Sequence, residues 1–137
     1  MNRQGQYPRF TDDARAAMVI ANRTAMQLGS ECIGVGHMLV GVVEADPGIR
    51  AYLPEQYSSY STLISFLRNT DHPEKTGYVR VITETAMKYV QSTGGDEISV
   101  KHLLLAIVTD SDEILSAILD QAGTDAPTLK EAVLADL

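Results

Sequence analysis

Ile33-Gly34-Val35-Gly36-His37-Met38-Leu39-Val40-Gly41-Val42-Val43 returns further along the chain as Ile98-Ser99-Val100-Lys101-His102-Leu103-Leu104-Leu105-Ala106-Ile107-Val108. Ile, Val, His, Leu and Val recur in register, and His37 and His102 fix the offset at 65 residues. A stretch repeated at fixed spacing marks one supersecondary unit used twice, each copy too apolar to stand alone. Residues kept in both copies are expected to serve the shared scaffold: Ile33, His37 and Leu39 in the first, Ile98, His102 and Leu104 in the second. Residues that differ between copies are where function should be sought.

Working outward, helical signals bracket both segments. Thr11 is a helix N-cap and Asp12 and Asp13 suit the positive end of the helix dipole. Ala14, Ala17, Met18, Ala21, Ala25 and Leu28 then recur at three- and four-residue steps, and Gly29 is placed to end the helix in the left-handed region. A second helix is predicted over Val35 to Ala45, stopped by Asp46-Pro47-Gly48. A short third carries Ile49, Tyr52 and Leu53, and a fourth covers Ser61 to Arg68. Residues 69–76 are polar, contain Pro73 and read as a connector. The second unit repeats the plan. Val79, Ile82, Ala86, Tyr89 and Val90 line a helix closed by Gly94-Gly95, and Ser99 caps the next, which runs to about Thr109. Asp112 to Ala122 and the stretch from Pro127 supply the last two. No segment alternates with period two over a strand's length. The fold class expected is all-α: two pseudo-symmetric four-helix repeats packed as one eight-helix domain over 7–136, with repeat one at about 10–68 and repeat two at about 77–136.

Composition narrows the function. The 137 residues suit one domain, with 45 % hydrophobic and 21 % charged residues. A net charge of −7 argues against a nucleic-acid backbone or an anionic membrane as partner. A single cysteine, Cys32, permits no internal disulfide, and the first residues lack a hydrophobic signal core, so a cytoplasmic protein is expected.

Catalytic and metal chemistry find no footing. His37 and His102 lack a second His or Cys at ligand spacing, and near a helix start each is best read as a capping or buried hydrogen-bonding residue. His72 lies in the connector, where solvation is expected. Gly-x-Ser-x-Gly, Walker, Rossmann and EF-hand patterns are missing from the 137 residues. Gly34-Val35-Gly36 is too short to argue for an anion site, and Asp110, Asp112 and Glu113 suit the start of a helix. A non-catalytic domain without cofactor or metal is expected.

Arg9-Phe10-Thr11-Asp12-Asp13-Ala14-Arg15, Leu28-Gly29, Ile33-Gly34 and His37-Met38-Leu39-Val40-Gly41 together resemble the Clp N-terminal repeat. Two such repeats form the N-terminal domain of AAA+ unfoldases of the ClpC and ClpA classes. The resemblance spans Tyr7 to about Leu134 and is more specific in its first half, since Lys75 stands where Phe10 stands in the first copy. It implies a module that brings protein substrates or adaptors to a Clp ATPase or peptidase, with Phe10, Thr11 and Gly29 among the scaffold residues.

The resemblance also implies where ligands would meet the domain. In some ClpC-type domains a Thr-Glu pair before each histidine holds phosphorylated arginine. Here those positions are Val35-Gly36 and Val100-Lys101, so the carboxylates that would pair a guanidinium are lost and Lys101 would repel it. A second family surface, where the N-terminal segment meets the start of the predicted fifth helix, takes hydrophobic peptides; Tyr7 and Arg80 fall on it. Tyr7 stapling the first helix is the structural alternative. Two rival functions stay open at this point. One is a stand-alone accessory or self-associating structural module, with a homodimer covering the Tyr7–Arg80 face. The other is a small hydrolase or metal enzyme, for which the residues are missing.

Overall fold

A computed structural model describes residues 9–29, 33, 35–52, 65, 79–109, 119–120 and 125–136. Helix α1 (Asp12–Gln27) starts where Thr11 Oγ1 accepts the Ala14 N–H at 3.1 Å, with Asp12 and Asp13 in its first turn. It ends at Gly29, whose φ of 73° is a left-handed conformation that costs glycine nothing. Helix α2 (Val35–Ala45) follows, and then a 3-10 helix over Pro47–Tyr52. Helix α3 (Val79–Ser92) closes at Gly94, with φ of 79°. Helix α4 (Val100–Thr109) and helix α5 (Ala126–Ala135) complete the described helices. The two left-handed glycines are 65 residues apart, as are the first residues of α2 and α4.

The core is built around α2 and α4, which touch each other. Residues 36–43 of α2 and 102–108 of α4 are all buried, as expected of helices apolar on every face. Helix α1 packs on α2, while α3 and α5 pack on α4. Amphipathic α1 contributes Ala14, Ala17 and Ala21, each fully buried; α3 contributes Ile82, Ala86 and Val90. The α1–α2 contact is close enough that a Cβ on Gly41 would lie 2.3 Å from the Ala17 carbonyl oxygen. Ala106, at the same offset in α4, faces no such limit and is fully buried.

Two sequence expectations are corrected. The chain does form strands: β1 (Arg9–Phe10) pairs in parallel with β2 (Glu97–Ile98), Arg9 opposite Glu97 and Phe10 opposite Ile98. Two residues are too few for alternation to register, and the partner is distant in sequence, so periodicity could not reveal the pair. The predicted third helix is a 3-10 helix that begins at Pro47, two residues before Ile49. Proline at the first helical position needs no N–H partner, and the Asp46 side chain accepts the Gly48 N–H at 2.9 Å, so the segment that stops α2 also starts the 3-10 helix. Of the predicted helices over 61–68 and 112–122, only Ser65, Leu119 and Asp120 are described, and all three are helical. The connector 69–76 lies outside the described residues.

Candidate interaction site

The start of α4 carries the most developed local chemistry. Ser99 is its N-cap and His102 its third residue. The Ser99 N–H donates to His102 Nδ1 at 3.0 Å, and the His102 N–H points back to Ser99 Oγ at 3.4 Å. This is a capping box with an imidazole in the place usually held by Glu or Gln. Because Nδ1 accepts a main-chain proton, the neutral ring carries its own proton on Nε2. That Nε2 is buried without a hydrogen-bond partner among the described residues. Burial pushes the His102 pKa below the ordinary histidine value of 6.5. His37, its counterpart in α2, is fully buried. Both histidine side chains are buried.

Ile98 ties this corner to the start of the chain. Its carbonyl accepts the Thr11 N–H at 3.0 Å, and its fully buried side chain sits opposite Phe10 in the ladder. Arg9 lies 4.0 Å from Asp96, an exposed ion pair worth about 0–1 kcal/mol. The chain leading into α1 therefore runs beside the residues leading into α4. Tyr7, two residues before β1, lies outside the described residues, and Arg80 lies in the first turn of α3.

The four positions singled out by the resemblance open two different helices. Val35 and Gly36 begin α2; Val100 and Lys101 begin α4. Gly36 and Val100 are buried. Lys101 is only half-buried, and its ammonium reaches the Asp136 carbonyl at 3.4 Å. A lysine in the first turn of a helix faces the positive dipole end; here it is offset by a carbonyl at the negative end of α5. Asp136 is also bound from the other side, since its carboxylate accepts the Tyr52 hydroxyl. That bond, with burial and the nearby carboxylate charge, raises the Tyr52 pKa to about 12. Tyr52, Lys101 and Asp136 thus join the 3-10 helix, α4 and α5 at one point. Sequence reading placed Tyr52 only on the short third helix and gave Asp136 no role, because the Tyr52–Asp136 contact closes over 84 residues.

No protein-family model matches the sequence. Solved structures decide the fold. The N-terminal domain of the chaperone ClpD from Arabidopsis thaliana superimposes with a TM-score of 0.68 at 21 % identity, covering 93 % of this chain and 94 % of that one. The Hsp104 N-terminal domain from Candida albicans gives 0.71 at 18 % identity, covering 92 % and 89 %.

The chain has the Clp N-terminal domain fold.

Relatives by sequence agree. ClpC/MecB of Bacillus subtilis, a negative regulator of genetic competence, is 23 % identical over 137 residues, covering 93 % of this chain. The chaperone ClpB of Oceanobacillus iheyensis is 22 % identical over the same length. A ClpA homolog from Trieres chinensis is 23 % identical over 140 residues. The chain spans only 16–17 % of the length of these relatives. Among the described residues no group of His, Cys, Asp and Glu is arranged to hold a metal, and no helix is long and apolar enough to cross a membrane.

Proposed function

We propose that the chain is a non-catalytic protein-interaction module of a Clp-type system, binding protein substrates or adaptors for a Clp ATPase or its peptidase. The observation that carries this reading is the Clp N-terminal fold over more than nine-tenths of the chain, alongside sequence relatives that are Clp components. The full reading is a two-repeat, eight-helix domain over 7–136, acting in the cytoplasm. The shared 65-residue spacing of Gly29 with Gly94 and of Val35 with Val100 supports the duplication.

Within that reading the ligand-facing residues are Tyr7, Arg80, Val35, Gly36, Val100 and Lys101. Recognition of phosphorylated arginine by paired glutamates is given up. Gly36 has no side chain to offer, and the one ammonium at Lys101 is drawn toward Asp136. The remaining candidate is the surface that the resemblance assigns to Tyr7 and Arg80, which would meet an apolar peptide. Affinity capture from the source cell's lysate with the folded chain tests this. Enrichment of a Clp ATPase, its peptidase or their substrates, weakened by Tyr7→Ala with Arg80→Ala, is expected. Capture of none of these by a chain with full helical content would refute it.

A further inference from the structure

A second surface lies at the far end of α4 from the candidate site, roughly 14 Å along the helix axis from Val100. An open groove of about 470 Å³ runs between the C-terminal half of α3 and the end of α4, lined by Thr85, Lys88, Tyr89, Ser92 and Thr109. Its floor is the Tyr89 ring, half-buried and packed against the core, with its hydroxyl 2.7 Å from Thr109 Oγ1. Lys130 of α5 places its ammonium over the same ring, 5.7 Å from the centroid.

Four hydroxyls and two ammonium groups converge here in a chain whose net charge is −7. Lys88 and Lys130 are two of its four lysines, and among the described residues neither makes an ion pair. Among the described residues no carboxylate lines the groove. The C-terminal ends of α3 and α4 are nearby and carry about half a negative charge each. Among the described residues the two ammonium charges outweigh that, which favours an anionic group at the groove. The half-buried Tyr89 ring and a volume of about 470 Å³ leave room for a side chain as well as its charged group.

We propose that this groove binds an acidic peptide segment of a protein partner, its carboxylates on Lys88 and Lys130 and its apolar carbons on the Tyr89 ring. The surface lies at the opposite end of α4 from Lys101, so substitutions at the groove and at Lys101 report separately. The test is fluorescence anisotropy of the whole chain with a labelled ten-residue peptide of alternating Glu and Leu. A matched peptide with Gln for Glu serves as the control. Saturable binding of the acidic peptide is expected, at least tenfold tighter than the Gln peptide and weakening steeply with added salt. The double variant Lys88→Gln, Lys130→Gln should lose at least tenfold, whereas Lys101→Gln should leave binding unchanged. Circular dichroism confirms that each variant keeps its helices. Equal binding of the two peptides, no loss in the double variant, or competition by inorganic phosphate in place of any peptide binding would overturn the proposal.

Discussion

Ser99 and His102 cap α4 reciprocally, the Ser99 N–H donating to His102 Nδ1 at 3.0 Å while the His102 N–H faces Ser99 Oγ. The bond needs a lone pair on Nδ1, so a protonated ring breaks it and leaves two donors facing each other. Burial holds the folded pKa of His102 below the unfolded value of 6.5. Its contribution to stability is complete above pH 6.5 and is lost as pH falls through the folded pKa. The urea midpoint should drop between pH 7.5 and about pH 5. His102→Gln, whose amide oxygen still accepts the Ser99 N–H, should show a shallower drop. A midpoint that falls equally in both proteins would remove His102 as the cause.

Gly41 decides how closely α1 and α2 approach. Alanine in a helix interior ordinarily stabilises by about 1 kcal/mol relative to glycine. Here the new Cβ meets a main-chain oxygen at 2.3 Å, and the helices must part. Gly41→Ala should destabilise by about 1–3 kcal/mol, as overpacking does. Ala106→Gly, at the matching position of α4, should cost roughly 1 kcal/mol from helix propensity and a lost methyl. A stabilised Gly41→Ala protein in urea unfolding would show the close contact to be wrong.

Thr11 holds two links at once. Its side chain caps α1 through the Ala14 N–H, and its own N–H reaches the Ile98 carbonyl. Thr11→Ala removes only the first and should cost about 1 kcal/mol. Thr11→Ser should be nearly silent. Hydrogen exchange at the first turn of α1 should quicken in the alanine variant alone.

The Tyr52–Asp136 bond predicts a phenol that ionises late. Tyr52 should titrate near 12, above the ordinary 10. A raised pKa means its stabilising effect is complete below pH 10 and is lost as pH rises through the folded value. Asp136→Asn removes the carboxylate that is the first cause, so the phenol should return toward 10. Ultraviolet phenolate titration of the two proteins measures this, and identical curves would exclude the bond.

Much of the fold was legible because helix signals are local. Val35–Ala45 matched the predicted second helix end to end, Gly29 took the left-handed conformation its position implied, and Gly94 closes α3 as its place after the helix implied. The burial of His37 and His102 agrees with their repetition at one offset, since a residue kept in both copies is expected inside the shared unit. The β1–β2 pair and the Tyr52–Lys101–Asp136 junction were not legible. Each joins segments far apart in sequence through contacts too short to leave a period. The groove at Tyr89 was hidden for a related reason: α3 supplies Lys88, α4 supplies Thr109 and α5 supplies Lys130. Chemistry assembled from three helices leaves no motif in any one of them.

The central claim, that this is a protein-binding module of a Clp-type system, is tested most directly by biolayer interferometry of the immobilised chain. The analytes are a purified Clp ATPase from the source organism and an unfolded substrate protein. The account predicts saturable binding to at least one of them, reduced several-fold by Tyr7→Ala with Arg80→Ala. Flat traces for both analytes, from a chain whose circular dichroism shows intact helices, would contradict it.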